Sequence, residues 1–391
     1  MRTKSLTLPL LLLMTLLLFV LLHDLFGGTL LSSSPYNSYT LQALAWREGR
    51  VSLGRDYPWL ELAVYQGDYY VSFPPVPSLI LLPFTLFFGA QTPDNLIILC
   101  FALAMLAAVY SAVRAGGASE MTAAFWAVFL ILGSNLLWMC TDGSVWFLAQ
   151  ALNMVFCTLA VCLAVRKRRA LSLACVALAV GCRPFSVLLF LPLLVFFVEE
   201  DYRNTEGLTI LKAALPQWKL LIAPALIGLC YMWYNAARFG NPLEFGHTFL
   251  PEFNRGEPQF SVEFIWRNLK NILRPVTLTE SLSLKYSIHD GFLLFLANPF
   301  FIVLCTKLKK LRPSQWTALG CLLLNLLLLL MHRTFGGWQF GARYTADLLS
   351  YALFLCLPRM QERPKRWELW LCAFAVLFNL YGAIAMHLLY A

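Results

Sequence analysis

Three carboxylates stand in short polar segments between long apolar blocks, where they could serve as a general base. Glu61 and Asp68 share the polar segment before Phe73-Pro74-Pro75, and Asp142 lies in the turn Thr141-Asp142-Gly143-Ser144. A base of this kind takes the proton from an attacking hydroxyl group. Asp142, between apolar helices, would be partly withdrawn from water, which favours proton acceptance. Any of the three could instead be an ordinary solvated loop acid.

Three arginines in comparable positions could hold a phosphate group. Arg183 lies in a turn, Arg238 in the polar run after an apolar block, and Arg343 in a glycine-rich segment. The planar guanidinium group matches phosphate oxygens in pairs, so we expect the three to meet around one cleft. The alternatives are an interfacial Arg183 that reaches water and an Arg343–Asp347 pair that only fixes the start of a helix.

Five further polar side chains in these segments could contact an acceptor or tie the loops together. They are Asn37, Tyr70, Tyr234, Asn235 and Gln339. The lone His247 is interpreted as structural. The eleven cysteines occur singly, without a CxxC pair or a Cys/His cluster, so the sequence requires no metal site. The cofactor is left open, a divalent metal included.

The elements that position these residues must be membrane helices. Of 391 residues, 59% are hydrophobic and 13% are charged, against about 25% charged in soluble domains. Blocks such as 6–22, 96–113 and 369–389 approach or reach the roughly 20 residues that a spanning helix needs, and backbone polar groups in lipid require helices. We predict a single all-α polytopic domain, residues 1–391, with about eleven transmembrane helices.

The basic residues predict the orientation of these helices. The net charge of +9 comes from clusters between apolar blocks, at 166–169, 307–312 and 359–366. This is the pattern of cytoplasmic loops, and it argues against nucleic acid as a partner. We therefore predict a multi-pass cell-membrane protein with a cytoplasmic N-terminus and an external C-terminus. The external loops 24–75, 238–290 and 332–343 would then form the active-site face.

Some segments need separate interpretation. Arg2 and Lys4 precede the first apolar block, which lacks a small-residue cleavage site and is expected to be a retained helix. The region 76–139 holds three apolar blocks where an even number of crossings is required, so either 76–90 or the break near 115–117 is irregular. Helical spacing predicts interfacial helices near 39–46 and 264–274.

A set of short motifs resembles the bacterial integral-membrane glycosyltransferases of the GT-C superfamily. It spans about residues 35–350 and includes Phe73-Pro74-Pro75, Leu81-Leu82-Pro83-Phe84, Gly143-Ser144-Val145-Trp146-Phe147, Tyr234-Asn235, Arg238-Phe239-Gly240-Asn241-Pro242 and Trp338-Gln339-Phe340-Gly341-Ala342-Arg343-Tyr344. Within this superfamily, the motifs resemble the group similar to dolichyl-phosphate-mannose protein mannosyltransferases and the lipid A aminoarabinose transferase. The resemblance implies a polyprenyl-phosphate-linked sugar donor, inverting transfer at the external face, and a base in the first external loop.

The sequence departs from this family at one position that matters. Such relatives carry an acidic residue just after the first helix, where this chain has Tyr36-Asn37. Another loop acid, Glu61 first among them, would then be the base, or the chain is a divergent or inactive relative. We predict a glycosyltransferase of hexosyl or mannosyl type with membrane lipid as a partner. The alternatives are a transporter or flippase of a lipid-linked saccharide, disfavoured by apolar spans almost free of charge, and a non-catalytic scaffold.

Overall fold

A computed structural model describes residues 6–253, 258–280 and 284–389; Arg2, Lys4 and both chain ends lie outside these ranges. The helices are α1 (Thr7–Leu25), α2 (Ser38–Arg47), α3 (Val76–Phe88), α4 (Asp94–Ala115), α5 (Glu120–Ile131), α6 (Leu136–Met139), α7 (Val145–Val165), α8 (Arg169–Val180), α9 (Phe190–Asn204), α10 (Ile210–Ala214), α11 (Ile222–Phe239), α12 (Glu263–Ile272), α13 (Leu294–Ala297), α14 (Phe300–Lys307), α15 (Pro313–Leu330), α16 (Leu349–Cys356) and α17 (Arg366–Leu388). The strands are β1 (Leu62–Tyr65), β2 (Asp68–Val71), β3 (Thr277–Leu278) and β4 (Leu284–Lys285). Turns of 3₁₀ helix at Pro184–Leu189, Leu215–Leu221 and Arg343–Leu348 extend α9, α11 and α16.

The helices form a bundle around α7, which is buried along most of its length. It packs mainly against α4 and α8. By contrast, α11 turns large apolar side chains such as Trp233 outward, as expected of a helix that faces lipid. By length and composition, six helical stretches of the described residues could each cross a membrane: Thr7–Leu25, Asp94–Ala115, Val145–Val165, Ile210–Phe239, Pro313–Leu330 and Arg366–Leu388. The number of crossings stays a prediction.

Side-chain contacts sort the helix ends into two groups. The basic end carries the clusters at 166–169, 307–312 and 359–366, and there Lys307 at the end of α14 meets Glu368 at the start of α17. The loop end carries the long polar loops, and there Thr141 before α7 meets His387 at the end of α17.

The irregular block in the region 76–139 is α3. The backbone N–H of Val76 donates to the carbonyl of Gly181, which follows α8 at the loop end (2.9 Å). Beyond the other end of α3, Gln91 accepts a hydrogen bond from Ser33 of the first loop (3.1 Å). Both ends of α3 therefore lie at the loop end. α3 has 13 residues, contains Pro83 and is about 20 Å long.

The predicted interfacial helices are present as α2 and α12, but the loops also contain strands. The all-α prediction holds for the bundle and missed two short hairpins in the described loops, β1–β2 and β3–β4. Gln66 and Gly67 join β1 to β2 with φ values of 51° and 84°, the conformation of the favoured two-residue hairpin turn. This hairpin follows directly on Glu61 and so fixes the position of that carboxylate.

Candidate functional site

A cavity of about 580 Å³ opens at the loop end of the bundle. Its walls come from the segment before β1, the start of α7, the turn after α8, the loop after α11, and the segment between α15 and α16. Of the six predicted catalytic and phosphate-binding residues, Glu61, Arg183 and Arg343 line it. The cavity thus joins one candidate base to two candidate phosphate ligands that lie far apart in sequence.

Glu61 presents its carboxylate to the cavity. Its Oε2 accepts a hydrogen bond from the indole N–H of Trp146 (3.0 Å), and its backbone carbonyl accepts one from the hydroxyl of Ser72 (3.0 Å). The side chain is accessible from the cavity but surrounded by protein, and this burial raises its pKa above the ordinary value of a glutamate. The Trp146 hydrogen bond opposes the rise, Glu252 adds to it, and Arg343 opposes it. A raised pKa makes a carboxylate a stronger base.

Arg343 stands at the first turn before α16 with part of its guanidinium group unused. Its backbone N–H donates to Gln339 Oε1 (2.8 Å) and its Nε donates to the carbonyl of Gly336 (2.8 Å). Its Nη1 is buried and has no partner within the described part of the chain. The side chain is 4% exposed and lies over the rings of Phe147 and Tyr344, at 5.3 and 5.0 Å. A buried cationic donor without an acceptor is costly.

Arg183 also lies over the Tyr344 ring, 4.6 Å from its centroid. Its Nε and Nη2 both reach Asp347 Oδ2, at 3.0 and 2.9 Å. The other carboxylate oxygen of Asp347 accepts a hydrogen bond from Gln150 (2.9 Å). The alternative interpretation of an Arg343–Asp347 pair is therefore wrong, because the turn after α8 brings Arg183 to Asp347 instead.

Arg238 does not line the cavity, so the expectation that three arginines share one cleft fails for this residue. Its guanidinium group donates to the carbonyls of Val71 (2.9 Å) and Phe245 (3.4 Å) and to Asn235 Oδ1 (2.9 Å). These acceptors belong to β2, the next loop and α11. Arg238 thus links the hairpin β1–β2 and the loop after α11 to α11 itself.

The other polar candidates mostly hold loops in place. Tyr234 accepts hydrogen bonds from Gln42 (2.8 Å) and Trp46 (3.1 Å), which links α11 to α2. Asn235 donates to the carbonyl of Pro242 (3.2 Å).

The remaining three candidates differ in what they touch. Gln339 donates to the carbonyls of His289 and Phe335, at 3.1 and 2.8 Å, while its oxygen receives the N–H of Arg343. Tyr70 packs on Phe239, with ring centroids 5.2 Å apart. Asn37 precedes α2 without capping it through its side chain, and it is not among the residues described as lining the cavity.

The two other candidate bases bond locally. Asp68 accepts a hydrogen bond from the backbone N–H of Tyr69 beside the hairpin turn (2.8 Å). Asp142 accepts from both the backbone N–H and the hydroxyl of Ser144 before α7. Neither residue is among those described as lining the cavity. Their geometry matches the interpretation of loop acids that shape turns.

Four titratable residues of the cavity wall were not predicted as site residues. Glu244 and Glu252 come from the loop after α11, together with His247, and His332 follows α15. The two imidazole rings lie 6.0 Å apart. Burial lowers the pKa of His247 to about 4 and that of His332 to about 3, so both are neutral near pH 7. No spacing in the sequence marks these four residues, since folding alone brings their loops together.

Within residues 6–253, 258–280 and 284–389, no group of three or more His, Cys, Asp or Glu side chains is placed to hold a metal ion.

Comparison with solved structures identifies proteins of similar fold. ArnT from Cupriavidus metallidurans, bound to undecaprenyl phosphate, matches with a TM-score of 0.53 and 14% identity over 90% of this chain and 60% of ArnT. Its apo state gives 0.51 with the same identity and coverage. The apo oligosaccharyltransferase of Archaeoglobus fulgidus gives 0.52 and 14% identity over 99% of this chain and 55% of that protein. No family model and no curated protein sequence matches.

These matches confirm the expected fold. Both proteins are membrane glycosyltransferases of the GT-C superfamily, and the chain shares their polytopic helical architecture. It spans only about 60% of the length of ArnT.

Proposed function

We propose that this chain is an inverting glycosyltransferase that moves a sugar from a polyprenyl-phosphate-linked donor to an acceptor hydroxyl group. The observation that carries the proposal is the cavity, which Glu61 and Arg343 both line, together with the buried Nη1 of Arg343, which has no hydrogen-bond partner among the described residues. A similar fold binds undecaprenyl phosphate in ArnT, which supports a lipid phosphate as the anion for Arg343.

The reaction follows from the roles of these side chains. The phosphate of the donor binds to Arg343 and Arg183, and the sugar lies between them and Glu61. The acceptor oxygen attacks the anomeric carbon from the face opposite the phosphate, and its proton passes to Glu61 as the new bond forms. The bond from the anomeric carbon to the phosphate oxygen breaks, and polyprenyl phosphate leaves with its added charge stabilised by the arginines. Displacement from the opposite face inverts the anomeric centre.

The donor is proposed to be of hexosyl or mannosyl type. A second part of the proposal is that the basic end faces the cytoplasm and the cavity faces outward, with the N-terminus inside. In a cysteine-free background, Lys310→Cys should then resist an impermeant maleimide applied to intact cells. Rapid labelling from outside would reverse the orientation.

Transfer can be measured with purified protein in proteoliposomes that contain labelled polyprenyl-phosphate hexoses and membrane extract as acceptor. We expect product from at least one donor. Glu61→Gln removes the charge but keeps the shape, and it should lower the rate by about 10² to 10⁴, the usual value of general base catalysis. Normal rates in this variant would contradict the assignment of the base. Movement of donor across the bilayer without transfer would favour a transporter.

A further inference from the structure

The carboxylate of Glu61 is held in the cavity by Trp146. The indole N–H donates to Oε2 at 3.0 Å, the one hydrogen bond to this carboxylate found among the described residues. Trp146 is the second residue of α7, and its ring packs on Tyr36 with centroids 5.0 Å apart. The backbone N–H of Val145 also donates to the carbonyl of Tyr36 (3.0 Å). The indole is thus fixed on both sides, by α7 and by the first loop.

We propose that Trp146 is the positioning residue of the base, directing the carboxylate of Glu61 into the cavity and keeping it ionised. This inference rests on the proposed function. An indole N–H can donate but cannot accept, so its hydrogen bond to the ionised carboxylate is stronger than its hydrogen bond to the neutral carboxylic acid. Trp146 therefore favours the form of Glu61 that accepts the acceptor's proton.

The other charged groups around Glu61 act in known directions. Glu252 is a like charge that disfavours ionisation, whereas Arg343 favours it. Glu244, on the same wall, is held by the backbone N–H of Gly246 (2.6 Å) and the hydroxyl of Thr248 (2.5 Å). Arg183 is paired with Asp347.

The two cavity histidines lose their protons at lower pH than Glu61, whose pKa is raised by burial. Burial holds the pKa of His247 to about 4 and that of His332 to about 3. Both are therefore already neutral in the range where a glutamate with a raised pKa loses its proton.

Removing the indole N–H should move the pH profile in a defined direction. Trp146→Phe keeps an aromatic ring against Tyr36 and loses the donor. The pKa of Glu61 should then rise further, and since the base must be ionised, the acidic limb of kcat/KM should move to higher pH. A hydrogen bond to a charged group corresponds to a shift of about one pH unit or more, a tenfold change in the proton dissociation constant. Above the limb the rate should approach that of the wild type.

The chain offers a matched control in Trp59. This indole N–H also donates in the first loop, but to the backbone carbonyl of Pro35 (3.1 Å). Trp59→Phe should leave the limb where it is. In the Glu61→Asp background, whose carboxylate is one methylene shorter, Trp146→Phe should add no further shift.

A second measurement does not depend on transfer. Dicyclohexylcarbodiimide modifies protonated carboxyl groups in apolar surroundings, and mass spectrometry can follow the labelling of Glu61 against pH. The midpoint of labelling should rise by about one unit in Trp146→Phe and stay constant in Trp59→Phe.

The outcomes separate this inference from the function on which it rests. An unchanged labelling midpoint in Trp146→Phe overturns the role of the indole even if Glu61→Gln abolishes transfer. An equal rate loss at every pH would likewise reduce Trp146 to a packing residue. A shifted midpoint together with normal transfer in Glu61→Gln would uphold the contact and refute Glu61 as the base.

Discussion

The two ends of the helical bundle use charge in opposite ways. At the basic end, buried or half-buried charges are paired. Lys307 Nζ lies 2.9 Å from Glu368, whose side chain is 2% exposed. Arg169 donates from both terminal nitrogens to the two oxygens of Asp201, each at 2.6 Å. These pairs join the ends of neighbouring helices, so they contribute to the structure and have little capacity left for a ligand.

At the loop end, one ion pair, Arg183 with Asp347, stands beside cavity charges that are not paired in this way. Arg343 is buried with a free Nη1, and the carboxylate of Glu61 meets a neutral indole instead of a cation. Burying a charge without a partner is unfavourable for folding. The ion pairs of the basic end avoid this cost, whereas the unpaired groups of the loop end do not. The difference indicates where a ligand completes the structure.

The largest expected effect tests the basic end. Lys307→Met leaves the Glu368 carboxylate buried without its cation, and breaking such a pair costs about 3 to 5 kcal/mol in the free energy of unfolding. We expect a clear drop in the thermal unfolding midpoint in detergent and an unchanged kcat/KM for the folded protein. The double variant with Glu368→Gln should recover most of the loss. A specific loss of transfer without loss of stability would mean that the two ends are not separate in function.

The next prediction compares two buried arginines: Arg343, which lines the cavity, and Arg238, which is not among the lining residues. Arg343→Lys replaces a planar fork by a point charge, and losing a donor to developing charge costs on the order of 10² to 10³ in kcat/KM. Arg238→Lys breaks the contacts to Val71 and Asn235, which should lower stability by about 1 to 3 kcal/mol and leave the donor KM unchanged. The opposite distribution of effects would identify Arg238 as the phosphate ligand.

These two arginines also show how far the sequence predicts the site. Both follow an apolar or glycine-rich segment in a polar loop, and the sequence treats them alike. Among the described residues, the guanidinium of Arg238 has three acceptors and that of Arg343 has a single carbonyl, while each keeps one buried nitrogen without a partner. Asp347 illustrates the same limit, since it is one helical turn from Arg343 yet pairs with Arg183.

The fold was more predictable than the site. Apolar blocks predict helices and basic clusters predict helix directions, and both patterns can be read within a single segment. Amphipathic spacing likewise predicted α2 and α12. The hairpin β1–β2 was missed because its stability depends on contacts outside the segment, such as Arg238 with the carbonyl of Val71. The cavity histidines and the carboxylates of Glu244 and Glu252 were missed for the same reason.

A smaller effect is expected for the carboxylates outside the cavity. Asp68→Asn and Asp142→Asn remove charges that bond to backbone N–H groups of neighbouring residues. Asparagine keeps an acceptor oxygen for both bonds, so transfer should stay within about tenfold of the wild type, less than the 10² expected as a minimum for a general base. The same assay as for Glu61→Gln gives the comparison. A loss of 10³ in either variant would move the base away from the cavity wall.

The smallest effect concerns Asn37, where the resemblance to GT-C glycosyltransferases leads us to expect an acidic residue. Asn37 stands at the residue before α2 and its side chain does not cap the helix; Tyr36, its neighbour, contacts Trp146. Asparagine and aspartate are about equally favourable there, so Asn37→Asp should change transfer by no more than about twofold, which is roughly 0.4 kcal/mol in activation free energy. Asn241→Asp, in another loop at the same end, controls for added negative charge. The sharper test is Asn37→Asp in the Glu61→Gln background. Because residue 37 is not on the described cavity wall, the new carboxylate should not restore transfer. Recovery of activity there would show that the base site lies at the start of the loop, and that the charge at Glu61 serves a different step.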